Sequence, residues 1–372
     1  MALTKVRTGG LTDDAVTTDK LFTPNLGRRN IVINGAMKVS QRGTSETSIS
    51  TSGYYTVDRI RIASGNTAGR FTMTQESISD LSGFANAVKL DCTTADTSIA
   101  SNEIVTIGTR IEGQDLQQLK KGTSDAEKVT VSFYVKGNAS ATYVLELYDN
   151  DNTRQISQSF SVTTSWSRVS LTFDGDTTGA FGDDNGSSLI LQIWLHAGSD
   201  YTSGTLSTSW SSVTSANRAV GISSFFDSTD RTFFITGLQM EVGSVATPFE
   251  HRSFGEELAS CQRYYQKSYA DNVAPSTVTN NGAFWTNIIR NASNQNYWHV
   301  QTYQTMRSQP SVTTHSPATG TSGKFENDTD GADRDSAVSN TSNTGFSIRP
   351  NSGTSNDLGD VVAVHWVADS EL

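Results

Sequence analysis

VTVSFYVK (129–136), TYVLELYDN (142–150) and LILQIWLH (189–196) decide the fold. In the first run Val129, Val131, Phe133 and Val135 alternate with Thr130, Ser132, Tyr134 and Lys136. A period of two belongs to a β-strand with one face in a core and the other turned outward. The third run separates Leu189, Leu191, Ile193 and Leu195 from Gln192, Trp194 and His196, and the second sets Leu145 and Leu147 against Glu146 and Tyr148. Working outward, NIVING (30–35), YYTVDRIRIA (54–63), NAVKLDC (86–92), EIVTIGTRI (103–111), QSFSVTTSWSRVSLTFD (158–174) and RTFFITGLQMEVG (231–243) have strand length. Gly, Asn, Asp and Ser clusters separate them, a pattern that predicts a jelly-roll β-sandwich over 29–251. Residues 114–121 supply at most one helical turn.

Beyond the sandwich the period changes. In RSFGEELASCQRYYQKS (252–268), Phe254, Leu258, Cys261 and Tyr265 recur at helical spacing, and Ser253 with Glu256 forms a capping signal. A linking amphipathic helix is therefore predicted over 252–270. AFWTNIIRN (283–291), YWHVQTYQ (297–304), GFSIRP (345–350) and VVAVHWVA (361–368) then read as strands of a smaller C-terminal β domain, 271–372, with a polar loop over 320–345. The fold class is all-β. Trp298, Trp366 and Trp166, the last in a TTSW turn, are expected in cores.

Only 18% of residues are charged and the formal net charge is -10, which argues against a nucleic-acid partner. No apolar run reaches the roughly 18 residues of a membrane span, and Met1 to Gly10 has no hydrophobic signal core, so a soluble chain without membrane insertion is expected. Cys92 and Cys261 read as reduced, buried residues, in keeping with folding in a cytoplasm. Residues 1–28 are polar with widely spaced Leu11, Val16, Leu21 and Phe22, too few to close a core. They suggest an attachment or oligomerisation segment ordered by neighbouring chains.

Catalytic signals are poor. There is no G-x-S-x-G, no HExxH, and the five histidines stand far apart. GTSGKF (320–325) lacks the spacing of a phosphate loop, and Asp328, Asp330, Asp333 and Asp335 are out of register with a calcium loop. No enzyme, cofactor or metal is predicted. A carboxylate pair assembled by the fold keeps a polysaccharide depolymerase as the least favoured alternative.

NIVINGAMKVSQRGTS (30–45) with YYTVDRI (54–60), TTSWSRVSLTF (163–173), the long close from Phe233 to Ser268, and HWVADSEL (365–372) together resemble bacteriophage tail-fibre and receptor-binding proteins of marine-phage type. The central region is also similar in layout to jelly-roll carbohydrate-binding modules. Such modules often hold a structural calcium after the opening Asn-Gly, where this chain has Ala36, Met37 and Lys38. The resemblance implies a virion tail protein made in the host cytoplasm, a homotrimer, attachment to other tail proteins through 1–28, and host surface polysaccharide as ligand. A purely structural virion component, an adaptor, cement or decoration protein, is the alternative.

The outward set Tyr134, Glu146, Tyr148, Gln192 and Trp194 combines aromatic planes with hydrogen-bonding groups, as sugar rings require, and is the candidate glycan site. Outward aromatics equally suit a subunit interface. In the C-terminal domain Tyr297 and Tyr303 are secondary surface candidates.

Overall fold

The computed structural model describes residues 28–289, 298–351 and 356–372. The attachment segment predicted over 1–28, Arg28 apart, and Tyr297 lie outside them. The first part of the chain runs β1 (Ser45–Ile49), β2 (Gly53–Tyr54), β3 (Arg61–Gly65), β4 (Arg70–Ser77), β5 (Asn86–Thr94) and β6 (Ile104–Glu112). It continues through β7 (Val129–Gly137), β8 (Ala141–Asp149), β9 (Arg154–Val162), β10 (Ser167–Phe173), β11 (Ser187–Ala197), the short helix α1 (Ser199–Thr202), β12 (Ser211–Ser212) and β13 (Thr232–Val242). These strands form two sheets, β1-β4-β5-β13-β7-β10 and β12-β9-β8-β11-β6-β3-β2. Every pairing is antiparallel and the order is that of a jelly-roll sandwich.

Both inner faces meet in one core. Val131, Phe133 and Val135 of β7 and Leu189, Leu191, Ile193 and Leu195 of β11 are all buried there, as their alternation predicts. One strand breaks its alternation. In β13 the pairing with β7 shifts between Thr236 and Gln239, with Gly237 at φ 63°. This bulge moves the inward set from Phe233 and Ile235 to Leu238 and Met240, all buried. The opening Asn-Gly is equally constrained: Asn34, at φ 61° and fully buried, gives its amide to the carbonyls of Val39 and Asp58 and accepts from the N–H of Lys38 and Val39. A side chain on Gly35 would meet the Leu238 carbonyl oxygen at 2.0 Å.

The linking helix α2 (Phe254–Gln262) is shorter than predicted, with the Ser253–Glu256 capping box present. It buries Glu257 and Cys261, while Phe254 faces solvent. The chain leaves the helix early because its next residues pair as a strand, β14 (Tyr265–Lys267), in the C-terminal domain. That domain adds β15 (Phe284–Asn287), β16 (Trp298–Gln301), β17 (Ser311–His315), β18 (Lys324–Asn327), β19 (Ala332–Ser342), β20 (Gly345–Pro350) and β21 (Val361–Asp369). The four strands β14, β15, β17 and β18 pair with β21, and Trp298, Phe325, Phe346 and Trp366 fill the core. The loop predicted over 320–345 instead holds the β18–β19 hairpin, turning at Gly331 with φ 71°. β19 is polar and mostly half-buried, and β18 buries a single apolar side chain, Phe325, which hides the hairpin from hydrophobic periodicity. Asp330 pairs with Arg334 and Asp335 with Lys324 within the hairpin, while Asp333 accepts from the hydroxyls of Ser316 and Thr319 ahead of β18.

The end of the chain returns to the sandwich. Arg42 pairs with Asp369 at 3.1 Å, Glu371 at 3.2 Å and Asp58 at 3.6 Å, and lies 3.7 Å from the Tyr265 ring centre. Arg59 pairs with Glu371 and stacks 3.5 Å from Tyr264. Cys92 and Cys261 are buried free thiols. Among the described residues no helix is long and apolar enough to cross a membrane.

Candidate functional site

The five candidate glycan residues do not share a face. Tyr134 is on β7 in the first sheet, whereas Glu146 and Tyr148 on β8 and Gln192 and Trp194 on β11 are in the second. Tyr134 packs 5.3 Å from Phe84, which in turn stacks on Phe249 and His251. Trp166, expected as a core plug, is on that same outer side, half-buried. Its indole N–H donates to Asp80 at 2.9 Å and the Lys136 ammonium lies 4.9 Å from its ring. Those two donors hold the Asp80 carboxyl below its ordinary range, the hydrogen bond from Lys136 being the larger effect.

On the second sheet the strands register Gln192 opposite Glu146 and Ile190 opposite Tyr148. Alternation placed these side chains outward, as predicted, but the chain itself covers half of the face. Residues 198–224 fold back across β8, β9 and β11, so Trp194 is only 2% exposed and Glu146 0%. Tyr201 stacks 5.2 Å from Trp194, and Val144, Ala219, Leu206 and Ile222 close a second, small apolar core around it. Its polar centre is Glu146. That carboxylate accepts from the Trp194 indole at 2.8 Å, Gln192 Nε2 at 2.7 Å, Arg218 Nε at 2.8 Å and Arg218 Nη2 at 3.0 Å. The Arg218 guanidinium in turn lies 4.9 Å from the Tyr148 ring and 5.0 Å from Trp194. A buried charge so fully paired is a structural element first. Trp194 and Glu146 are therefore corrected from candidate ligand contacts to interior residues.

The other half of the face is open. Gln192, Ile190 and, across β6 and β3, Thr106, Gly108, Thr109, Arg110 and Arg61 line a shallow depression. Half-buried Tyr148 stands beside it, opposite Ile190. Gly108 makes its flat floor, since a side chain there would meet the Leu191 carbonyl oxygen at 2.0 Å. Arg61 pairs in register with Gly108, two residues from Arg110. Burial first, and then the charge of Arg61, push the Arg110 guanidinium below its ordinary range, and Arg110 Nε is buried without a hydrogen-bond partner. Two cations on one strip, with no carboxylate between them among the described residues, form an anion-attracting surface. Sequence reading missed both arginines. For Arg61 the available signal was an arginine alternating with isoleucine in RIRI (59–62); Arg110, in GTRIE (108–112), carried no such signal.

In the C-terminal domain Trp298 and Trp366 are buried as predicted, and Tyr303 is 62% exposed. The structure also gathers Asp96, Glu103 and His196, one potential ligand atom of each within 4.8 Å of the others. These residues are distant in sequence, and no local spacing announces them.

No family model and no curated protein matches the chain. Among solved structures it is similar to a protein described as "CBM4 structure and function", at 8% identity and TM-score 0.30, over 56% of this chain and 97% of that one. It is also similar to the enzymatically active domain of tailspike protein 4 of bacteriophage CBA120, at 11% identity and TM-score 0.29, over 57% of this chain but only 21% of the tailspike. A third is TmCBM61 in complex with β-1,4-galactotriose, at 10% identity and TM-score 0.28, over 58% and 99%.

Proposed function

We propose that this chain is a non-enzymatic binding subunit of a bacteriophage tail, a homotrimer that adheres to host surface polysaccharide through the open strip of the second sheet. The observation that supports this most is the strip itself: Tyr148, Ile190 and Gln192 in register with Arg61 and Arg110 on one rigid sheet. An aromatic ring and an aliphatic side chain suit the C–H face of a sugar, and an amide and guanidinium groups suit hydroxyls and carboxylates. The two unneutralised arginines favour an acidic polysaccharide. The phage assignment rests on the sequence resemblance.

Purified protein is titrated with carboxylated, sulfated and neutral polysaccharides at several salt concentrations. Binding is expected for the anionic polymers, weakening as salt rises, and Arg110→Ala and Gln192→Ala should each lower affinity at least about tenfold, as expected for the loss of roughly 1.4 kcal/mol, while each variant stays folded at the assay temperature. Equal binding by both variants removes the strip from the proposal.

A structural role in the virion has one observation in its favour. Trp285, Ile289 and Leu358, at and near β15, are exposed apolar residues on the C-terminal domain, where Gly359 N–H bonds to the Ile288 carbonyl. Exposed apolar surface of this kind suits contact between subunits. Sedimentation of Trp285→Ser against the unchanged chain tests it, with dissociation expected if the patch holds the trimer.

A further inference from the structure

We propose that Asp96, Glu103 and His196 form a binding site for a single divalent transition-metal ion, zinc being the best fit, which ties the connection between β5 and β6 to the end of β11. All three side chains are buried, at 6%, 3% and 0% exposure. They come from different places in the chain: Asp96 and Glu103 from the connection between β5 and β6, and His196 from the end of β11.

Charge is the first argument. Two carboxylates lie within 4.8 Å of one imidazole nitrogen, and among the described residues the only cationic partner of either is His196, with Nε2 2.8 Å from Glu103 Oε2. A neutral imidazole leaves two negative charges in a site removed from water, and an imidazolium still leaves one. Isolated buried charge is costly, and a divalent cation compensates it.

The second argument is how the ligands are held. Asp96 Oδ2 accepts from Thr67 Oγ1 at 2.8 Å and from the Ala68 N–H at 2.7 Å, and Glu103 Oε1 accepts from the Ala100 N–H at 2.7 Å. Asp96 is further held by a backbone hydrogen bond from Ser98, and the second oxygen of Glu103, Oε2, faces His196 Nε2 at 2.8 Å, so each carboxylate is oriented before any ion arrives. His196 Nδ1 is 2.8 Å from Ser224 Oγ, which already accepts from the Phe226 N–H at 3.1 Å. With Nε2 on a metal, the ring proton sits on Nδ1 and is donated to Ser224. A ligating histidine is ordinarily oriented by such an outer hydrogen bond. The 2.8 Å contact between His196 and Glu103 must open to about 3.3 Å, the separation of two ligands about 2.0 Å from one tetrahedral zinc.

The donor set selects the ion. One nitrogen and two carboxylates suit zinc, whereas calcium takes six to eight oxygens. The full chain, stripped with a chelator and desalted, is titrated with Zn²⁺, with Ca²⁺ in parallel. One zinc per chain is expected, with a raised melting temperature and no response to calcium. Asp96→Asn, which keeps an acceptor for Thr67 and Ala68, and His196→Ala should each weaken zinc binding at least about a hundredfold, the scale of losing a ligand when outer contacts alone are worth 10–100-fold. X-ray absorption of the loaded protein should show one imidazole and oxygen neighbours, which separates this site from adventitious binding at the exposed His251 or His299. If the folded, unaltered chain takes up no zinc, or Asp96→Asn binds as well as the unaltered chain, the site is a hydrogen-bonded knot and the proposal fails.

Discussion

Trp194→Ala tests most sharply how the outer face of the second sheet is divided. If Trp194 were a ligand platform, its removal would lower binding and leave stability alone. The structure requires the opposite, because the ring is 2% exposed, stacked on Tyr201 and bonded to Glu146. Truncating a buried tryptophan costs about 3–5 kcal/mol. Glu146 keeps Arg218 and Gln192, so the lost indole hydrogen bond adds only part of the roughly 1–3 kcal/mol of an unsatisfied group. For a domain of this size each kcal/mol moves the melting temperature by roughly 2–4 °C, giving a drop of about 6–20 °C. Trp194→Phe should lose less, and Gln192→Ala should stay within about 1 kcal/mol of the unaltered protein, as for a half-buried group away from the core. Calorimetry and urea unfolding of the three variants measure this. A Trp194→Ala protein that melts within experimental error of the parent would refute the assignment of Trp194 to an interior core.

The buried Lys121 offers another test. Lys121 Nζ contacts Asp149 at 2.6 Å, Asp176 at 3.2 Å and the carbonyl oxygens of Thr178 and Gly179 at 2.8 and 2.7 Å. Lys121→Met leaves Asp149 buried without that charge and should cost about 3–5 kcal/mol in urea unfolding. Burial alone would raise the Asp176 carboxyl, but hydrogen bonds from Arg154, the Thr178 N–H and Lys121 outweigh it and lower it below the ordinary carboxylate range. Its stabilisation is therefore full above the unfolded-state pKa of roughly 3.9 and is lost as pH falls through the lower folded value. Asp176→Asn should lose stability at neutral pH and show a flatter acid limb when melting is followed from pH 6 down to pH 2. Glu371→Gln weakens the pairing of Arg59 and Arg42 with the chain's end, and about 3 kcal/mol is expected from disrupting a buried ion pair. Limited proteolysis should then cut between the sandwich and the C-terminal domain earlier than in the parent.

What was legible in the residues was direction. Alternation in 129–136 and 189–196 told correctly which side chains point into the sandwich, and the paired Ser253 and Glu256 marked the start of α2. What no strand pattern carries is what lies above an outward side chain. Trp194 and Gln192 are neighbours of the same parity, yet one is sealed beneath residues 198–224 and the other reaches an open depression, because a loop of low periodicity decides between them. The same limit hid the hairpin in 320–345, whose one fully buried apolar side chain, Phe325, cannot by itself show a period. Asp96, Glu103 and His196 meet only after two sheets have formed. Gly237 was the exception. A glycine inside FFITGLQM is itself a signal that the strand bulges there and reverses its inward set.

The arrangement of charge links the open strip to the end of the chain. Arg59 reaches in two directions, its Nη1 to Glu371 and its Nη2 to the Arg110 carbonyl oxygen at 2.6 Å. The backbone that presents Arg110 to the open strip is thus held by the same guanidinium that anchors the last residues of the C-terminal domain. Asn185, just ahead of β11, donates to the Arg307 carbonyl and accepts from its guanidinium, adding a second tie between the strip's central strand and that domain. The ligand site proposed on this strip has to be held rigidly to keep its contacts in register. Here the rigidity comes from outside the sandwich as well as from its sheets. The C-terminal domain therefore does more than extend the chain: through Glu371 and Arg307 it fixes the strands on which Arg110, Ile190 and Gln192 stand.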